Sequence, residues 1–323
     1  MVALPQINDP TLEAADRAIV AAQPPRFRAY LGMSAIGGKC SRALWYGFRW
    51  TMRPQFDAAT LKRFEDGHRT EDLVLARLKA VPEIELHDRD AGGQQFGFSD
   101  FGGHMRGHMD AVALGLPQAA KTWHVVEVKC SEKWTDLDKS KAKVGDKAAL
   151  LDWNATYYGQ AVLYMEHAEI DRHYLVAASP GGRRWTSVRT NADPAHAAML
   201  RLKAERIIFS DKAPDRIGGP DAFDCRWCDF RALCHEAAPP ERNCRTCLFA
   251  QVEQNGTWSC TANPEALATL TLAEQEAGCP RHRYLPALVP GEQFDVRGGD
   301  GNPSIAYRIG GSEWLDSGHE AWS

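Results

Sequence analysis

The sequence lacks an apolar run long enough to cross a membrane, because charged residues interrupt its hydrophobic stretches. It also lacks a basic segment followed by an apolar core near residue 1, so we expect a cytoplasmic protein with no membrane partner. The net charge of −4 over 323 residues excludes a surface covered in positive potential. Any polyanionic partner must therefore be bound by local groups of Lys and Arg.

The length of the chain favours one main domain with a small addition. Pro239-Pro240 is typical of a hinge. We predict a main domain over residues 1–238, a four-cysteine module over residues 239–290, and a β extension or tail over residues 291–323. In a reducing compartment, the nine cysteines are expected to bind metals before they form disulfides.

Apolar periodicity and capping residues predict the elements around the candidate site. We expect a helix over residues 11–22 that stops at Pro24-Pro25. A second helix is expected to begin at Ser34 as N-cap, and a third to cover residues 57–79 with Leu73, Leu75 and Leu78 on one side. Residues 148–167 are expected to form a single later helix.

A group of acidic residues marks the candidate site. Trp123 to Lys129 has the β-branched content of a buried strand, in which Glu127 and Lys129 share a face and Val128 points into the core. If residues 104–115 pair with this strand, Asp110 reaches the same face. Two carboxylates there would make an all-oxygen site for Mg²⁺ or Mn²⁺, and such a metal activates water and neutralises charge on a phosphodiester.

Two helices add polar side chains to this set. Gly67-x3-Glu71 supplies a further carboxylate, with His68 one turn before it. Gln160 and Tyr164 are four residues apart and can face the site together. Taken singly, each of these fragments also fits a solvated strand end or a helix surface.

Four motifs resemble, in their order along the chain, those of PD-(D/E)XK nucleases of the RecB type: Gly67-x3-Glu71, Asp110, Glu127-x-Lys129 and Gln160-x3-Tyr164. The resemblance covers about residues 30–235. The resemblance implies an α/β fold with a restriction-endonuclease-like core, in which helices flank a central mixed sheet. It also implies that Asp110, Glu127 and the main-chain carbonyl of Val128 bind metal, and that Lys129 is catalytic. RecB-like relatives usually have His at the position of Glu71, whereas Glu resembles the lambda-type phage exonucleases, so the role of His68 stays open.

Cys225-x2-Cys228-x5-Cys234 places three soft thiolates in one turn-rich segment, and a cluster needs a fourth ligand. The segment around Cys40 resembles the amino-terminal cysteine motif of AddB-like and CRISPR-associated iron-sulfur exonucleases. The resemblance implies a 4Fe-4S cluster that joins the two ends of the nuclease domain. Zinc bound by the same ligands is the alternative.

The remaining spacing, Cys244-x2-Cys247-x12-Cys260-x18-Cys279, predicts a second four-thiolate site on a zinc-ribbon-like hairpin. Zn²⁺ is favoured there, a second iron-sulfur cluster is the alternative, and His282 could replace one cysteine.

The sequence therefore predicts a Mg²⁺- or Mn²⁺-dependent DNA exonuclease that resects double-strand ends for recombination or repair, in a phage-like setting. A CRISPR-adaptation-type nuclease and a non-catalytic nucleic-acid-binding iron-sulfur and zinc protein are the alternatives. DNA is the expected partner, together with a single-strand annealing or recombination protein. The candidate DNA-binding residues are Arg42, Lys133, Lys139, Lys141 and Lys143.

Overall fold

The computed structural model describes residues 9–23, 26–262, 267–299, 302–318 and 321–322. The helices in this part of the chain are α1 (Pro10–Ala22), α2 (Ser41–Phe48), α3 (Ala58–Lys79), α4 (Asp136–Val144), α5 (Asp146–Trp153), α6 (Ala155–Ala168), α7 (Pro194–Phe209), α8 (Phe223–Arg226), α9 (Arg231–His235) and α10 (Leu272–Ala277). None of these helices is long and apolar enough to span a bilayer.

The strands in the same part of the chain are β1 (Leu31–Gly32), β2 (Glu85–His87), β3 (Gly97–Asp100), β4 (Met105–His108), β5 (Ala111–Leu114), β6 (His124–Cys130), β7 (Arg172–Ala178), β8 (Trp185–Asn191), β9 (Ala250–Val252), β10 (Trp258–Cys260), β11 (Ala268–Leu270), β12 (Glu292–Arg297), β13 (Ser304–Ile309) and β14 (Ser312–Asp316). The fold is therefore mixed α/β, as predicted.

The central sheet has the strand order β2-β5-β6-β7-β8, with β6 and β7 parallel and the other neighbours antiparallel. Alternate residues of β6 supply its two sides: Val126 and Val128 pack against Val74 of α3, whereas Val125 belongs to the core that contains α6 and α7. Because side chains alternate along a strand, Glu127 and Lys129 face the α6 side. The central sheet thus holds the acidic residues between two packed layers.

The predicted third helix is confirmed. Asp57 caps α3 by accepting from the backbone N–H of Thr60 at 2.7 Å. Leu75 is buried, but Leu73 is 43% exposed, so the prediction that Leu73 lies on the buried side was wrong. Val74 takes its place because the helix turns its apolar stripe toward β6.

The predicted start of the second helix was wrong. α2 begins at Ser41, and its N-cap is Cys40, whose Sγ accepts from the backbone N–H of Ala43 at 3.4 Å. Ser34 lies in a turn before the helix. The first helix agrees with the prediction, and its expected stop at Pro24-Pro25 falls outside the described residues.

The single helix expected over residues 148–167 is two helices, α5 and α6. Asn154 adopts an extended conformation and its side chain accepts from the backbone N–H groups of Thr156 and Tyr157. This cap starts a new helix at Ala155, since Asn competes with the backbone for its hydrogen bonds. The lysine-rich segment before α5 forms a further helix, α4.

The strand pairing expected for residues 104–115 holds for β5 only. β4 belongs to a second small sheet of order β1-β4-β3, where it is parallel to β1. Asp110 therefore lies at the crossing from one sheet to the other.

The predicted hairpin is present: β9 and β10 pair antiparallel around Asn255 and Gly256, and β11 adds a third strand. Cys260 of the second cysteine group lies in β10, whereas Cys244, Cys247 and Cys279 flank the three strands. Trp258 of this hairpin packs into the core of the main domain, in contact with Phe48 and His104. Strands β12, β13 and β14 form a separate antiparallel sheet near the end of the described residues. The domain boundaries themselves stay predictions.

Candidate active site and cysteine clusters

The structure brings Asp110 and Glu127 together at the start of β5 and the middle of β6. The pairing of Ala111 with Val126 sets this register, and the backbone N–H of Val128 donates to Oδ2 of Asp110 at 2.8 Å. Asp110 is 8% exposed and Glu127 2%. Burial, followed by the charge of Glu127, raises the pKa of Asp110 well above its usual range.

Lys129 lies beside both carboxylates, with its Nζ in contact with Oε1 of Glu127. Burial opposes the charged form, but Glu127 and Asp110 outweigh burial, so the pKa of Lys129 is raised. The ammonium also lies 5.1 Å from the ring centre of Tyr157. The sequence prediction missed Tyr157, although its position three residues before Gln160 on α6 could have indicated it.

Gln160 and Tyr164 reach the same place from α6. Nε2 of Gln160 donates to Oε1 of Glu127 at 2.9 Å and lies 3.2 Å from the Tyr164 hydroxyl. The hydroxyl in turn accepts from the backbone N–H of His108 at 3.1 Å. Burial, followed by the charge of Glu127, raises the pKa of Tyr164, so its phenol stays neutral.

Gly107 explains how β4 approaches this ring so closely. A Cβ at that position would lie 2.6 Å from Cε1 of Tyr164 and 2.9 Å from Cβ of Met33. A glycine is therefore required where the second sheet contacts the site.

Glu71 of α3 completes the acidic group. Burial raises its pKa, the charge of Glu127 raises it further, and Lys129 opposes both. His68 is exposed and its charge slightly favours ionised Glu71. His68 is therefore a solvent-exposed neighbour of Glu71, and its role stays open.

Two buried oxygens of the site are left without a hydrogen-bond partner, Oε2 of Glu127 and Oε1 of Gln160. Three carboxylates share one ammonium, so the site carries excess negative charge when all three are ionised, and a bound divalent cation would balance that charge. Even so, within the described ranges no three His, Cys, Asp or Glu side chains are already arranged to hold a metal ion. The donor chemistry fits Mg²⁺ or Mn²⁺, but Glu127 would have to exchange Lys129 for the metal.

The predicted DNA-binding residues lie in different places. Lys139, Lys141 and Lys143 each pair with a carboxylate of Asp136, Asp138 or Asp152, whereas Lys133 is exposed. Arg42 donates to the Tyr46 hydroxyl and the carbonyl of Pro214 and lines the first cysteine cavity.

The four cysteines of the first predicted site line one cavity between α2, α8 and α9: Cys40, Cys225, Cys228 and Cys234. Burial raises the pKa of Cys225, as do the nearby thiols of Cys40 and Cys234. Thiols that oppose each other's ionisation in this way fit a site whose thiolates are neutralised by a metal. Among the described residues these cysteines are not arranged as a metal-binding group, so an iron-sulfur cluster or zinc at this site stays an expectation from their spacing.

The four cysteines of the second predicted site also line one cavity: Cys244, Cys247, Cys260 and Cys279. Burial, and then the other three thiols, raise the pKa of Cys244 to about 12. His282 borders the cavity, but its Nδ1 lies 3.1 Å from Nη2 of Arg242 and its Nε2 lies 3.0 Å from the Thr246 hydroxyl. Both ring nitrogens of His282 are occupied by these contacts, so it is not placed to replace one of the cysteines.

Comparison of the sequence with protein-family models and with curated proteins gives no match. Among solved structures, the chain is similar to SSO0001, at 15% identity and a TM-score of 0.39 over 69% of this chain and 96% of the other. It is also similar to an alkaline exonuclease from Laribacter hongkongensis, at 14% identity and 0.37 over 59% and 90%. A phage-related exonuclease from Haemophilus somnus 129PT gives 14% and 0.32 over 45% and 69%. These TM-scores are too low for the fold or function of this chain to be inferred from them.

Proposed function

We propose that this chain is a nuclease that hydrolyses phosphodiester bonds of DNA with Mg²⁺ or Mn²⁺. The observation that supports this most is the burial of Asp110 and Glu127 beside the single ammonium of Lys129. Buried carboxylates with perturbed pKa values in one cluster are typical of functional sites, because burying them without a partner costs stability.

Asp110, Glu127 and Glu71, with the carbonyl of Val128, are the groups that would hold the divalent cation. When bound, the cation would neutralise charge on the scissile phosphate and lower the pKa of a water. Lys129 stays charged because two carboxylates surround it, and it would place positive charge beside the attacking water. Gln160 would orient Glu127, since its amide donates to the Oε1 that Lys129 also contacts.

The finer proposal is an exonuclease that resects double-strand ends for recombination or repair. We further propose an iron-sulfur cluster in the first cysteine cavity and zinc in the second. The first would join α2, near the beginning of the domain, to α8 and α9 at its end, and so hold the helices around the central sheet. Support comes from the two cavities and from the resemblance of the motifs.

The test of catalysis is digestion of linear duplex DNA with Mg²⁺, beside a Lys129→Ala variant. We expect the parent to degrade DNA and Lys129→Ala to lose at least about 100-fold in rate, the scale of a lost electrostatic contact in an active site. Lys121→Ala is the matched control, because Lys121 is exposed in the turn before the same strand. Equal rates for Lys129→Ala and Lys121→Ala would contradict the proposed role. Labels on one terminus at a time would separate end resection from internal cutting.

The test of the metals is elemental analysis of the purified chain. Cys228→Ser is expected to lower iron and leave zinc, and Cys260→Ser to lower zinc and leave iron. Loss of zinc from both variants, in protein that never contained iron, would assign zinc to the first cavity as well.

A non-catalytic DNA-binding protein is the second candidate. It is favoured by the ion pair between Lys129 and Glu127, which occupies the carboxylate that a metal would need. DNA binding without cleavage of any DNA form in Mg²⁺ or Mn²⁺ would support it.

A further inference from the structure

The segment after β7 forms a closed basic loop next to the acidic site. Residues 179–184 are closed by the N–H of Ser179 donating to the carbonyl of Arg184 at 2.8 Å, and by the N–H of Arg184 donating to the Ser179 hydroxyl at 3.1 Å. The side chains of Arg183 and Arg184 are exposed, and Trp185 follows at 46% exposure.

The loop is fixed to α3, the helix that carries Glu71. The N–H of Gly181 donates to the hydroxyl of buried Thr70 at 3.1 Å. Arg77 donates to the carbonyl of Gly182, and its guanidinium lies 5.5 Å from the ring centre of Trp185. These contacts extend along α3 from Thr70, the neighbour of Glu71, to Arg77, two helical turns later.

The loop also directly follows β7, the strand that pairs with the Lys129 segment of β6. In the parallel pair, Lys129 is opposite Ala177 and Cys130 is opposite Ala178, and the N–H of Ser131 donates to the carbonyl of Ala178 at 2.9 Å. The chain therefore passes Lys129 on β7 and enters the loop directly. The position of the loop beside the acidic group is set by both the sheet and α3.

The charges of this loop differ from those of the lysines that the sequence indicated. Lys139, Lys141 and Lys143 are each neutralised by an aspartate. Arg183 and Arg184 form no ion pair with any residue that the structure describes, and Asp138, on the helix packed against β8, is already held by Lys141 and Thr186. A phosphate can approach the two arginines without displacing a carboxylate.

We propose that the loop of residues 179–184 binds the sugar-phosphate backbone of a DNA strand whose scissile bond lies at the acidic site. This rests on the proposed function. Arg183 and Arg184 would contact successive phosphates, because guanidinium groups bind phosphate with paired hydrogen bonds. Contacts of this kind position a strand without reading its sequence.

The experiment measures the affinity for labelled single-stranded DNA at several salt concentrations, without divalent cation. The variant is Arg183→Ala/Arg184→Ala, and the control is Arg206→Ala/Lys212→Ala, which removes two exposed charges at the end of α7. We expect the slope of log affinity against log salt to fall by about 1.4 for the loop variant, from roughly 0.7 for each phosphate contact of a single strand. The control is expected to keep the parent slope.

An Arg183→Lys/Arg184→Lys variant is expected to restore the slope, because it keeps both charges. An unchanged slope for the alanine variant, an equal fall for the control, or no binding by the parent would overturn the proposal. This outcome can be distinguished from the test of the proposed function. DNA binding that depends on the loop, without cleavage, would contradict only the proposed nuclease activity. Cleavage by a protein whose salt slope does not depend on the loop would contradict only the proposed role of the loop.

Discussion

Glu127 is the residue at which the contacts of the candidate site meet. Its Oε1 is shared by Lys129 and Gln160, while its Oε2 has no partner. Its charge also raises the pKa of Asp110, Glu71 and Tyr164. Burial is the larger cause of these shifts, and the charge of Glu127 adds to it at each of the three groups.

At the residue scale, the raised pKa of Asp110 predicts a stability effect in the absence of divalent cation. Because its pKa is higher in the folded than in the unfolded chain, protonation favours folding, and stability is lost as pH rises from the unfolded toward the folded pKa. Asp110→Asn keeps an oxygen for the N–H of Val128 and removes the charge. We expect it to raise the free energy of unfolding at neutral pH, because the buried charge is removed, while it abolishes cleavage.

Denaturant unfolding of the parent and Asp110→Asn between pH 5 and 8 measures this effect. The parent should gain stability on acidification and the variant should gain less. Asp72→Asn is the control, since Asp72 is an exposed carboxylate on the same helix as Glu71. A less stable Asp110→Asn protein would show that the charge is already compensated.

The acidic residues could be predicted from the sequence because a strand alternates its faces, which places Glu127 and Lys129 together without any tertiary information. Tyr157 was missed although its helical spacing from Gln160 indicates it, whereas Gly107 could not be predicted, since its role depends on how β4 approaches Tyr164. The loop at Arg183 was missed for the same reason: its position is fixed by Thr70 and Arg77, far away in sequence.

At the element scale, the division between α5 and α6 decides where Gln160 and Tyr164 point. The apolar pattern continues through residues 148–167, so periodicity alone predicts one helix. The side chain of Asn154 ends that helix and starts the next. Local hydrogen bonding thus overrides a pattern that extends across both helices.

This cap gives a second stability prediction. Asn154→Ala removes the acceptor for two backbone N–H groups and is expected to lower the free energy of unfolding by about 1 kcal/mol. Asn154→Asp keeps the acceptor and should retain most of that stability. Thermal or denaturant unfolding measures both, and an Asn154→Asp protein as unstable as Asn154→Ala would show that the cap is not responsible.

At the scale of the whole molecule, the hairpin of the second cysteine group is part of the main core. Trp258 is 1% exposed, and the guanidinium groups of Arg49 and Arg245 lie 5.2 and 4.8 Å from its ring centre. Arg245 also donates to the carbonyls of Phe48 and Ala29. A hinge at Pro239-Pro240 does not predict this packing, because composition marks where a chain turns but not which surfaces it then covers.

We therefore expect Trp258→Ala to destabilise the whole chain by roughly 3–5 kcal/mol, within one cooperative unfolding transition. Trp227→Ala is the matched control, because Trp227 is 78% exposed. Calorimetry and intrinsic fluorescence should give the same midpoint for each protein. Two separate transitions, with the one for the main domain unchanged in Trp258→Ala, would make the hairpin an independent domain.

Helix α2 is bounded at both ends by the two cysteine groups. Its N-cap is Cys40, and the carbonyl of Phe48, its last residue, accepts from Arg245, which follows Cys244 directly. A rigid helix of eight residues therefore couples the two cavities mechanically. The two cavities have separate cysteine ligands, so loss of the metal proposed for one is expected to leave the other metal bound, while a displacement at one end of α2 would reach the other end through only two turns of helix.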